Sequence, residues 1–325
     1  MKSLFHCSLK IFLLCSISTL LCCPPSSLFS SQQEQVDAKE EAFRHFRIDQ
    51  SSKLVLYSDS KASQRLVRNI LSASAKVFPK MEKDFGITLN EKVNVFLISD
   101  LKKHPDLPFL DAEPEWASGS AYPSNYLMVI RTNKLGKYPE LDITSVFVHE
   151  LSHIFLHHAL KDSPVYVPTW FNEGIAMLEA RKWGMRDSYE LASTLIIGSY
   201  IPLSDLRGRF PRESYEARRA YVESFSFLTY LAENYGESLI WLVISRMKEG
   251  HSFNESFFMV FGQGLRRVEE KWISQVMFWY RWIPVATSSI TLWIGVTLLF
   301  ILGYVRKRSR ARRTLEEWDE EDRWN

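Results

Sequence analysis

His149-Glu150-Leu151-Ser152-His153 sets two imidazoles four residues apart with a carboxylate between them. Four residues of helix turn through about 400°, so the two rings share one side, roughly 6 Å apart along the axis. Both can then reach one metal ion, because a zinc–imidazole bond is about 2.0–2.1 Å long. Glu150 stands about 100° round the helix from His149, beside such an ion rather than on it. A carboxylate there can hold a water polarised by the metal and accept its proton. The chemistry implied is hydrolysis. The same pattern also arises by chance, and buried histidines serve as plain core residues, so a second segment matters.

Pro168-Thr169-Trp170-Phe171-Asn172-Glu173-Gly174-Ile175-Ala176-Met177 supplies it. A catalytic zinc needs three protein ligands and one open position, and two histidines with a glutamate are a standard set. Glu173 is placed to be the third ligand. Lys161-Asp162-Ser163-Pro164 reads as a helix stop and turn, and a new helix begins near Thr169. Antiparallel packing of the two helices would return Glu173 to the metal. An exposed helix carboxylate is the competing reading. Against it, Trp170 and Phe171 would bury this turn, and Gly174 permits close helix approach.

H-E-L-S-H followed by W-F-N-E-G-I-A resembles the gluzincin metallopeptidases, above all the bacterial peptidase MA-like domains related to thermolysin and aminopeptidase N. The aminopeptidase-N group carries W-x-N-E-G-F-A at nearly this distance, and the gap here is one residue longer. The resemblance extends from about residue 53 to 281. It implies one zinc per chain, held by His149, His153 and Glu173, with Glu150 as general base. It also implies an oxyanion donor. Ala220-Tyr221-Val222-Glu223-Ser224-Phe225 is similar to the segment that carries the family's tyrosine, which assigns that role to Tyr221, with Tyr215 as a competitor. Gluzincins pair substrate with an edge strand, which maps to Gly119, Ser120 and Ala121 ahead of the strand-like run 126–131. Aminopeptidases place a glutamate just after the matching glycine. None follows Gly119, which favours an endopeptidase; Glu113 or Glu115 would be the substitutes. Thermolysin-like enzymes carry an aspartate four residues past the glutamate ligand, where this chain has Met177. Glu179 and Asp142 are the candidates to support a ligating histidine instead. His157 lies about 12 Å along the axis from His149, too far to share the metal.

These residues need a scaffold. The zinc-binding pattern sits in a helix expected over 141–160. Strands are expected at 53–57, 92–98 and 126–131, with a helix at 61–84 between the first two. After Glu173 the chain reads as helical at 170–180, 189–197, 214–234, 237–248, 253–261 and 265–278. Strands first and helices after imply an α+β fold, which the resemblance makes a thermolysin-like zincin with a small sheet lobe followed by a mainly helical one.

The ends of the chain set an expected compartment. Residues 1–23 read as a signal peptide and 24–50 as a linker to a peptidase domain at 51–281. All four cysteines, Cys7, Cys15, Cys22 and Cys23, fall in that leader, so a mature domain would have neither disulfides nor cysteine ligands. Residues 283–304 are uncharged and apolar, roughly 33 Å as a helix, which implies one C-terminal transmembrane helix. The basic block 306–313 follows at once and, by the positive-inside rule, places the tail 305–325 in the cytoplasm. A net charge of +2 with this local clustering implies topology and lipid contact, not nucleic-acid binding. The expectation is a zinc metallopeptidase of the bacterial cell envelope acting on peptide or protein substrates. Its rival is a non-catalytic, membrane-tethered zinc-binding protein on a peptidase scaffold. A hydrolase of cell-wall peptides is a third reading.

Overall fold

Three short runs with apolar residues at alternate positions build the centre of a sheet. In the computed structural model they are β2 (Leu54–Ser58), β3 (Val93–Ile98) and β5 (Leu127–Arg131), parallel to one another. Successive side chains of a strand point to opposite faces. Leu54, Leu56, Val93, Val95, Leu97, Met128 and Ile130 therefore enter the main core, while Phe96, Ile98 and Val129 form a small second cluster with Phe46. The edges are antiparallel. β1 (Arg47–Gln50) pairs with β2 and β4 (Gly119–Tyr122) with β5, giving the order β1-β2-β3-β5-β4.

The described residues are 46–59, 64–100, 104, 117–136, 142–163, 165–197, 200–211, 213–286 and 289–324. The expected signal peptide at 1–23 and most of the expected linker lie outside them, as do Glu113 and Glu115. The sheet begins ahead of the expected domain start at residue 51, because β1 is already part of it. Arg47-Ile48-Asp49-Gln50 has no apolar alternation, and an edge strand packed on one side does not need one.

Helix α1 (Gln64–Phe85) connects β2 to β3 and buries Val67, Ile70, Ser74, Phe78, Met81 and Phe85, the stripe of a surface helix. It packs on α2 (Ile143–Ala159), where Phe155 meets Phe78 and Phe85 at centroid distances of 5.8 and 5.7 Å. Asp142 starts α2 by accepting from the backbone N–H of Thr144 (2.8 Å) and Ser145 (3.1 Å). Helix α3 (Thr169–Ala180) packs between α2 and α5 (Ser214–Leu231), and α4 (Met185–Ile197) packs on α5. A π turn, Ala232–Gly236, leads into α6 (Glu237–Lys248). Helix α7 (Phe253–Phe261) opens on a Ser252–Glu255 capping box and ends at Gly262, whose φ of 67° suits glycine. Helix α8 (Leu265–Ala286) follows. One core joins the sheet to all the helices from α1 to α8 except α4. The fold is α+β, mainly helical with a small sheet.

The expected transmembrane helix at 283–304 is only partly among the described residues. Among the described residues no helix is long and apolar enough to cross a membrane. Helix α9 (Ser289–Trp324) carries apolar residues from 292 to 305 and then runs on through the basic block. Residues 287 and 288, inside the expected span, lie outside the described residues.

Candidate metal centre

Two neighbouring helices bring the predicted ligands together. On α2, Ile143, Val146, Phe147, Leu151, Ile154 and Phe155 are buried against the sheet and α1, which fixes the helix's rotation and turns His149 and His153 toward α3. Their rings lie 4.9 Å apart, nearly perpendicular. On α3, Trp170 and Phe171 are fully buried, anchoring the first turn, and Glu173 follows on the face toward α2. Glu173 Oε2 sits 3.2 Å from His149 Nε2 and 3.5 Å from His153 Nε2. A tetrahedral ion with bonds of 2.0–2.1 Å separates neighbouring donors by about 3.3 Å, so the spacing is that of a shared cation. All three donor atoms fall within 4.8 Å of one another. Glu173 Oε2 is buried without a well-aligned hydrogen-bond donor, which is what a metal-facing oxygen requires. The side chains of His153 and Glu173 keep 13% and 16% exposure, so the group is reachable from one side.

The electrostatics agree with that reading. Burial opposes a charge on His153, yet the Glu173 and Glu150 carboxylates and the Asn172 hydrogen bond outweigh it and hold the imidazole up at about 9. Burial alone would raise Glu173, but the two histidines beside it drive it well below the usual carboxylate range. A buried anion between two imidazoles calls for positive charge, and a divalent cation supplies it while releasing the histidine proton.

The support for His153 is neither Glu179 nor Asp142. Glu179 pairs with Lys80 at 2.5 Å, and Asp142 caps α2. Instead, Asn172 Oδ1 lies 2.8 Å from His153 Nδ1, which leaves Nε2 free to face the metal position. Asn172 was visible in the motif, but only the crossing of α2 and α3 gives it this role.

Glu150 is buried beside the sheet's edge. A Cβ on Gly119 would stand 2.5 Å from Glu150 Oε1, 2.7 Å from Val146 Cγ1 and 2.8 Å from Glu150 Cγ. Glycine is therefore the residue that lets β4 and Glu150 come this close. Ala121 also packs toward the main core. Ser120 is buried, and its hydroxyl donates to the Gly119 carbonyl at 2.7 Å. Among the described residues no strand pairs with the outer edge of β4.

Tyr221, on α5, lies 6.2 Å from the His149 ring, and Phe210 packs edge-on against it at 5.0 Å. Tyr215 is half exposed and has no such neighbour among the described contacts. The segment 200–211 that carries Phe210 also completes α3. Thr169 N–H donates to the Arg207 carbonyl (2.9 Å) and Trp170 N–H to that of Leu206 (3.1 Å). Two carboxyl groups hold the segment: buried Glu223 accepts from Ile201 N–H (3.1 Å) and half-buried Glu269 from Leu203 N–H (2.8 Å). Nothing in the sequence pattern signals this bracing.

His157 and His158 stay out of the metal group. His158 Nε2 lies 2.9 Å from the Pro123 carbonyl and its ring stacks on Tyr126, while His157 is exposed.

A family model described as the peptidase MA superfamily matches residues 73–278, more than half of the 325 residues. The chain belongs to the peptidase MA superfamily. The match runs from the middle of α1 through most of α8, and so covers every residue of the metal group. As a superfamily member, the chain carries a gluzincin-like metallopeptidase domain. Among curated proteins none matches the chain.

Proposed function

We propose that this protein is a zinc-dependent metallopeptidase that cleaves within peptide chains. The observation that carries the proposal is the convergence of His149, His153 and Glu173 beside a buried Glu150 on the sheet's edge. A divalent zinc held by those three residues would acidify a water and polarise the substrate carbonyl. Glu150 would accept the proton of the attacking water as the new C–O bond forms. It would then deliver that proton to the amide nitrogen as the C–N bond breaks. Tyr221 would donate its hydroxyl hydrogen to the oxygen on which negative charge develops. β4 would pair with the substrate backbone through its open edge, with Gly119, Ser120 and Ala121 beneath the scissile region. β4 carries no carboxylate to hold a free amino end, which supports internal cleavage.

We also propose attachment to a bacterial envelope membrane through 283–304, with the catalytic domain outside. Exposed Leu292, Trp293, Ile294, Leu298, Leu299 and Phe300 on α9 support this, since apolar groups on several faces of a helix suit lipid. The deciding experiment is digestion of an unfolded protein or peptide library by the purified chain, with and without a chelator. Chelator-sensitive cleavage that Glu150→Gln abolishes, with zinc retained, is the expected result. Bound zinc with no cleavage of any peptide would instead favour a binding protein on a retired scaffold.

A further inference from the structure

A cavity of about 330 Å³ opens beside the metal group, and its lining is not what a peptidase that holds free amino ends would build. At one end stand His153 and Asn172; at the other, Lys161 and His157. Leu156, Leu160 and Val167 make the apolar wall between them, and Pro123, the residue after β4, closes one side. Among the described residues no aspartate or glutamate lines it. Asp162 follows Lys161 in sequence but is not part of the lining. Among the described residues Lys161 forms no ion pair, whereas Lys53 and Lys80 each have a carboxylate partner within 3 Å. Partial desolvation, with the nearby Lys161 ammonium, lowers His157 from its ordinary value.

The cavity lies in the path of a substrate. β4 runs from Gly119, against Glu150, to Tyr122 and then Pro123. A peptide paired with β4 would extend from the catalytic carboxylate toward the cavity. Lys161 lies two residues past the end of α2, whose last turns carry the chain about 9 Å from His153 to Ala159, and an extended peptide advances about 3.3 Å per residue. A side chain one to three residues from the scissile bond would thus reach the ammonium along an aliphatic wall. An apolar stem with an anionic tip fits this lining; a cationic amino end does not.

We propose that this cavity is a specificity subsite for an acidic side chain of the substrate, with Lys161 as its cation. The inference rests on the peptidase reading and deepens it. The test uses the full chain with zinc and quenched fluorogenic peptides bearing Glu, Gln or Lys at each of three positions on either side of the cleaved bond. At one position Glu should exceed Gln by about fivefold in kcat/KM, the range of a partly exposed ion pair. Lys161→Glu should invert the order, so that the Lys peptide is cut faster than the Glu peptide. A merely structural lysine would lower all three rates together and leave their order intact. Absence of a Glu preference at every position, or the same order in Lys161→Glu, overturns the proposal. If no peptide is cut, the peptidase reading fails separately, and the subsite is decided by binding. Fluorescence anisotropy on Glu150→Gln should then show tighter binding of the Glu peptide than the Gln peptide, and equal binding overturns it.

Discussion

Replacing Gly119 with alanine adds one methyl group where the edge strand meets the proposed base. Its Cβ would lie 2.7 Å from Val146 Cγ1 and 2.8 Å from Glu150 Cγ. Carbon atoms rest about 3.5–4.0 Å apart, so each contact is short by roughly 0.7–1.3 Å. Two relaxations are open. Glu150 can rotate away, which costs little stability because its Oε1, 2.5 Å from the new atom, ends a flexible side chain. Alternatively, β4 can shift off α2, which costs about 1–3 kcal/mol as overpacking and lowers Tm by roughly 2–12 °C. Either route moves the base relative to the substrate by about 1 Å, and such a displacement costs on the order of 100-fold in rate. The assay is kcat/KM on a cleaved peptide, read beside Tm and zinc content. Zinc content should hold, since the three atoms nearest the new methyl belong to Val146 and Glu150 rather than to a ligand. Gly264→Ala, where a Cβ meets nothing within 4 Å, is the control and should match the parent. A Gly119→Ala enzyme with parental kcat/KM would refute the placement of Glu150 against the strand.

Other outcomes follow from the same geometry. Gly174→Ala would put a Cβ 2.7 Å from Leu228 Cδ2 and 3.1 Å from the Ser224 carbonyl oxygen, so α3 and α5 must separate. Differential scanning calorimetry should show a fall of about 1–3 kcal/mol in stability. Asn172→Ala removes the 2.8 Å partner of His153 and should weaken zinc binding by about 10–100-fold in a chelator competition, with the fold intact by circular dichroism. Burial pushes the Glu223 carboxyl up to about 8, against the Ile201 hydrogen bond and the Arg219 charge. A raised folded-state pKa favours the protonated form, so its contribution is complete below about pH 4.5 and is lost as pH rises through about 8. Glu223→Gln should therefore gain stability relative to the parent across that window and hold the gain above it. Parallel Tm–pH curves for the two proteins would count against a neutral Glu223.

Much of this architecture could be read before any coordinates. The helix bearing His149 and His153 is legible because apolar residues recur along it at helical spacing; Asp142, weighed as a histidine partner, is instead its N-cap. Glu173 is legible because Pro168 ends one conformation and the aromatic pair after it demands burial. Gly174 is legible as a close-approach residue, and Leu228 occupies the space its missing side chain leaves. Asn172 is not legible, since its role depends on the angle at which α2 and α3 cross. Nor is the 200–211 segment, whose function lies in backbone bonds to α3 and in carboxylates from α5 and α8. β1 is hidden because an edge strand tolerates a polar sequence. At the other end, hydropathy marks an apolar run but not where the helix stops. Helix α9 continues through Arg306–Arg313 to Trp324.

Metal stoichiometry tests the central claim most directly. Purified under metal-replete conditions and then passed through a weak chelator, the parent should retain one zinc per chain by elemental analysis. Glu150→Gln should retain the same, and His149→Ala, His153→Ala and Glu173→Ala should each lose it while staying folded. A Glu173→Ala protein that keeps its zinc as firmly as the parent would contradict the account.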